Sequence, residues 1–97
     1  MSNVIVHCYY TGKEGAVRAF FEEMRGGLQK EVCAEDGCLQ YDYYLSAADG
    51  AAGVLLEKWR DLAALETHQK GGVMARILPV KEKHGLETRV EIYELKE

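Results

Sequence analysis

The chain reads as a mixed α+β domain with elements in the order β-α-β-β-α(α)-β, and three observations carry that reading. Two turn signals, Asp36-Gly37 and Asp49-Gly50, each stand ahead of a run of strand formers. Val17, Phe20, Phe21, Met24, Leu28 and Val32 recur at spacings of three and four, the period of a helix with one apolar stripe. The two ends of the chain, 4–10 and 88–95, have strand composition or strand alternation. This order is the split βαβ, ferredoxin-like arrangement, a four-stranded antiparallel sheet with helices on one face.

Residues 4–10, Val-Ile-Val-His-Cys-Tyr-Tyr, form the first strand, an unbroken β-branched and aromatic run whose near-continuous apolarity implies cover on both faces. His7 shares a side with Ile5 and Tyr9. Thr11-Gly12-Lys13 turns the chain into a helix that runs to about residue 34. Gly26-Gly27 interrupts it and is expected to kink it, since each glycine costs about 1 kcal/mol against alanine in a helix interior. Alternation over 38–45 puts Leu39, Tyr41, Tyr43 and Leu45 on one side of the second strand. A small polar loop, 46–53, is expected to be exposed. In the third strand, 54–59, Leu55, Glu57 and Trp59 share a side, and Val54, Leu56 and Lys58 take the other. Asp61 is placed to cap a helix beginning at Leu62, and Gly71-Gly72 stops it. A further helical segment starts near Val73. Pro79 is expected to bend or split it, Gly85 ends it, and His84 caps its end. In the last strand Val90 and Ile92 face one way, and Arg89, Glu91, Tyr93 and Leu95 the other.

Ninety-seven residues suit one domain spanning 1–97. The net charge of −4, with both signs interspersed, argues against a nucleic-acid surface, which needs a basic stripe. No apolar run reaches the 18 residues or so of a membrane span, and the N-terminus has no signal-peptide pattern. The cysteines, Cys8, Cys33 and Cys38, are odd in number and lack CxxC spacing, so neither a disulfide framework nor a zinc site is expected. A cytoplasmic, reducing setting is the simple expectation. Apolar residues on both sides of the strands leave a bare sheet face that two copies would bury as a symmetric homodimer.

One place brings acid, indole and imidazole together. Glu57 and Trp59 lie on one side of a strand, and His68 lies one turn after Leu65 on the helix that follows. Each has a plainer role: Trp59 as a core anchor, Glu57 as the partner of Arg76 or Arg89, and His68 as a cap on helix carbonyls. A lone His7 in a strand is more often a core or interface residue than a ligand.

The pattern Asp36-Gly37-Cys38-Leu39-x-Tyr41, followed by Leu56-Glu57-x-Trp59-x-Asp61-x-x-Ala64-Leu65-x-x-His68, resembles the antibiotic biosynthesis monooxygenase domain, with the likeness covering almost the whole chain. The resemblance implies a dimeric α+β barrel. It also implies one of several activities: cofactor-independent oxidation of quinols or anthrones, haem degradation, or isomerisation of a phosphorylated sugar. The residues of the haem-degrading branch are an asparagine in the first strand, a tryptophan in the second helix and a histidine one helix later. They would fall here at His7 or Cys8, at His68 and around Leu78, so haem degradation is not expected. The quinol branch implies His68 as the base, Tyr41 and Tyr43 as hydroxyl-bearing walls that hold a carbonyl or developing anion, and Trp59, Glu57 and His7 as substrate contacts, with neither cofactor nor metal. Imidazole titrates near neutrality, which suits it to proton transfer. Two other readings stand beside this one: an isomerase shuttling a proton on a small carbonyl compound, and a non-catalytic small-molecule-binding dimer.

Overall fold

The computed structural model describes residues 2–96. The elements are β1 (Asn3–Thr11), α1 (Ala16–Met24), α2 (Leu28–Cys33), β2 (Cys38–Leu45), β3 (Ala52–Trp59), α3 (Leu62–Lys70), α4 (Gly72–Lys83) and β4 (Glu87–Leu95). The strands form one antiparallel sheet in the order β2-β3-β1-β4. All four helices lie on one side of it, so the fold is the α+β, ferredoxin-like arrangement expected from the element order. Among the described residues no helix is long and apolar enough to cross a membrane.

The core lies between sheet and helices. Val4, Val6, Cys8 and Tyr10 of β1 point inward, with Tyr41 of β2 and Leu55 and Trp59 of β3 beside them. The stripe of α1 and α2 meets them: Val17, Phe20, Phe21, Met24 and Val32 are buried, and Leu28 packs at the margin. The glycine pair breaks the helix into α1 and α2, with Gly27 in a conformation that is not helical (φ −176°, ψ −50°). The Asp61 carboxylate accepts the Ala64 amide at 2.9 Å and starts α3. Gly85, at φ 66°, closes α4 with two backbone bonds, Gly85 N to the Glu82 carbonyl and Leu86 N to the Lys81 carbonyl, the Schellman pattern. His84 adds a side-chain tie, its Nε2 lying 2.8 Å from Glu23 of α1.

Three expectations are corrected. Pro79 does not split the last helix, which runs unbroken from Gly72 to Lys83. Pro79 and Ala75 are both exposed, so the carbonyl that loses its donor can turn to water. A register shift between Cys38 and Gln40 breaks the alternation of β2. Cys38 therefore packs on the core and Leu39 is 54% exposed, while Tyr41, Tyr43 and Leu45 keep the expected inward side. Finally, Glu57 pairs with neither arginine offered for it: Arg76 binds Glu31 and Arg89 binds Glu91.

The other sheet face carries no helix. Ile5, His7 and Tyr9 of β1, Val54, Leu56 and Lys58 of β3, and Arg89, Glu91, Tyr93 and Leu95 of β4 lie there, half-buried or exposed.

Candidate active site

Strand alternation sets Glu57 and Trp59 on the helix-covered face of β3, two residues apart and both buried. Trp59 Nε1 donates to Glu57 Oε1 at 2.9 Å, and the Cys8 thiol donates to Glu57 Oε2 at 3.3 Å from the neighbouring strand. The capped start of α3 fixes the helix phase that turns His68 inward. Its ring stacks on the Trp59 indole, with centroids 4.7 Å apart and planes 26° from parallel. Tyr41 meets the His68 ring edge-on at 6.1 Å, and Tyr43 meets Tyr41 at 5.7 Å.

The imidazole is held from behind. His68 Nδ1 lies 2.8 Å from Glu35 Oε2 and 3.0 Å from Oε1. An ionised carboxylate only accepts, so Nδ1 carries a proton, and in the neutral imidazole Nε2 keeps its lone pair. His68 is 2% exposed, and Nε2 is buried with no hydrogen-bond partner among the described residues. Buried polar atoms are nearly always paired, so this orphan leaves one position of a clamped imidazole open to a ligand. A groove of about 270 Å³, with Glu35, Ala64 and Thr67 in its walls, reaches His68 from outside.

The surrounding groups are neutral donors. Burial, reinforced by the Glu57 carboxylate, pushes the Cys8 thiol well above its ordinary range. Burial also raises Tyr41 and Tyr43, with Glu57 adding to both. These tyrosines are hydrogen-bond donors at neutral pH, not bases, and Cys8 is not a thiolate nucleophile. Burial raises Glu57 too, against the lowering effect of the Trp59 and Cys8 hydrogen bonds. Cys8, Cys33 and Cys38 are free thiols, and among the described residues no three His, Cys, Asp or Glu side chains group so as to hold a metal ion.

The structure thus brings together His68, Tyr41, Tyr43, Trp59 and Glu57. It does not bring His7, which lies on the bare side of β1, with Nδ1 3.3 Å from the Tyr9 hydroxyl and its ring against Tyr93. Two members of the cluster, Glu35 and Cys8, escape sequence reasoning. Cys8 reads as a plain buried hydrophobe. The signal for Glu35 is its place just ahead of β2: the pairing of Cys38 with Trp59 brings the start of β2 beside the end of β3, where α3 begins.

Several solved structures share this fold. PA3566 from Pseudomonas aeruginosa is 32% identical, with a TM-score of 0.77, covering 100% of this chain and 95% of that one. A conserved protein from Methanosarcina mazei is 26% identical, with a TM-score of 0.84 and coverage of 99% and 95%. Rv0793 from Mycobacterium tuberculosis is 26% identical, with a TM-score of 0.76 and coverage of 99% and 97%. No protein among the curated ones matches the sequence. Residues 3–79 match the model of the family described as antibiotic biosynthesis monooxygenase, which takes in the whole cluster from Cys8 to His68, and the chain belongs to that family.

Proposed function

We propose that the chain is a cofactor-independent monooxygenase that oxidises a small aromatic substrate of quinol or anthrone type with O2. The observation that carries this reading is the buried, unpartnered Nε2 of His68, opposite an Nδ1 clamped by Glu35. In such a substrate Nε2 removes an acidic proton and leaves an electron-rich anion, whose oxygen the Tyr41 and Tyr43 hydroxyls can hold. The anion passes one electron to O2, giving a substrate radical and superoxide, and their combination forms a C–O bond. The imidazolium returns its proton to the peroxide. For an anthrone, loss of the second C–H proton with cleavage of the O–O bond then releases water. The net change is CH2 plus O2 to C=O plus H2O, with all four electrons supplied by the substrate. Trp59 walls the site and keeps water from the anion.

The same reading includes a homodimer closed through the bare sheet face, to which Leu56, Tyr93 and Leu95 contribute apolar surface. Sedimentation equilibrium should return twice the chain mass for the wild type and a lighter species for Leu56→Glu. An unchanged mass in that variant would put the contact elsewhere.

The deciding assay is oxygen uptake over a panel of reduced quinols and anthrones, with autoxidation subtracted, for wild type and His68→Ala. Protein-dependent uptake that survives metal chelation and falls in the variant is expected. Uptake equal to the buffer blank throughout the panel, with proton exchange at a carbonyl α-carbon instead, would assign the cluster to an isomerase.

A further inference from the structure

A second groove, about 510 Å³, opens between α1 and the edge strand β2. One wall is a single helix face: Arg18, Phe21, Glu22 and Arg25 follow at spacings of three, four and seven. Tyr43 stands in the opposite wall, its ring 4.6 Å from that of Phe21, so an aromatic pair forms the inner end. From there the ring contacts run inward through Tyr41 to His68. The groove therefore shares Tyr43 with the candidate active site.

The arginines set this groove apart. Arg60, Arg76 and Arg89 each hold a carboxylate. Arg18 and Arg25 hold none among the described residues, and both line this groove. Arg18 leans on the loop after β2, close enough that a Cβ on Gly50 would sit 3.3 Å from its Nε. Two carboxylates share the opening. Asp42 is already engaged by Gln40 Nε2 at 3.1 Å. Glu22 lies between the arginines along the helix without pairing to either. Guanidinium groups bind carboxylates with planar, charge-assisted hydrogen bonds, and an aromatic floor beside them suits a flat ring.

We propose that this groove is a subsite for an aromatic carboxylic acid, with the ring on Phe21 and Tyr43 and the carboxylate between Arg18 and Arg25. That the acid is the substrate's own substituent rests on the oxidation proposed above; the binding preference does not.

The test is calorimetric titration with 1-hydroxy-2-naphthoate and with its uncharged amide, at low salt. The acid should bind about tenfold tighter or more, the gain expected of a charge-assisted pair over a neutral one. R18Q/R25Q should remove that advantage, each single change should remove part of it, and E22Q should enlarge it. The single variants carry the test if the double variant fails to fold. Equal affinity for acid and amide, an advantage that survives R18Q/R25Q, or no binding of either probe would overturn the subsite. Oxygen-uptake assays separate the two ideas. An acid that binds tightly while no quinol or anthrone is consumed overturns the oxidation alone, whereas turnover with acid and amide bound equally overturns the subsite alone.

Discussion

The two faces of the sheet carry the same kinds of side chain and use them differently. On the helix-covered face, His68 contacts a carboxylate and a tyrosine ring and is buried with one ring nitrogen unpaired. On the bare face, His7 has Tyr9 and Tyr93 around it and Glu91 opposite it in register, but that cluster is half-open to solvent. There Arg89 lies over the Tyr9 ring at 4.2 Å and binds Glu91, and Tyr93 donates to Glu91 at 2.7 Å. The bare-face charges answer one another where no helix covers them, and in the single chain such half-open pairs contribute little. The covered-face groups are mostly buried and take one another as hydrogen-bond partners. On the proposed function, burial, more than residue type, separates a reactive imidazole from an ordinary one.

Exchanging alanine for each histidine tests this contrast most sharply. His68→Ala should lower oxygen uptake by about 10²–10⁴-fold, the range for loss of a general base, while His7→Ala should stay within about twofold. Equal losses would erase the distinction between the faces. On the stability side, Trp59→Ala should cost about 3–5 kcal/mol in denaturant unfolding, the cost of emptying a core indole site. A smaller activity change, about tenfold, is expected from Glu35→Gln, which keeps a hydrogen-bond acceptor for Nδ1 but loses the charge. Rates unaffected by that change would remove Glu35 from the site.

The mildest effect is a pH slope. Glu57 binds its proton more tightly folded than unfolded, because burial raises it above the ordinary 4.5. Between that value and its raised one, the folded state holds more protons, so stability falls as pH rises, by at most about 1.4 kcal/mol per unit. Glu57→Gln should flatten the wild-type curve in that window while leaving the exposed pairs of Asp36, Glu23 and Glu91, whose carboxyls are shifted the opposite way, as they were. Parallel curves for the two proteins would mean that Glu57 is solvated.

Much of this is legible in the chain, for local reasons. The helical stripe, the Asp61 cap, the breaks at Gly26-Gly27 and Gly71-Gly72 and the sides of β3 and β4 all follow from spacing and turn chemistry. That Glu57, Trp59 and His68 converge follows from the same local rules. What escapes is relational. Alternation tells that His7 rides with Ile5 and Tyr9, but not that the helices cover the opposite side. The shift at Cys38–Gln40 depends on how β2 pairs with β3. Glu35 and His68 are 33 positions apart and meet only because the sheet register folds one end of the molecule together. The neutrality of Cys8 is likewise a property of its surroundings.

Trp59 is the sole tryptophan of the chain, and its ring lies face to face with that of His68. The protein thus contains its own optical gauge at the point of interest. A proton gained by the imidazole sets a cation against the indole face, and a ligand sliding beside it changes the same environment. Intrinsic emission therefore reports the state of a single residue pair, without labels, on the timescale of a stopped-flow mixing experiment.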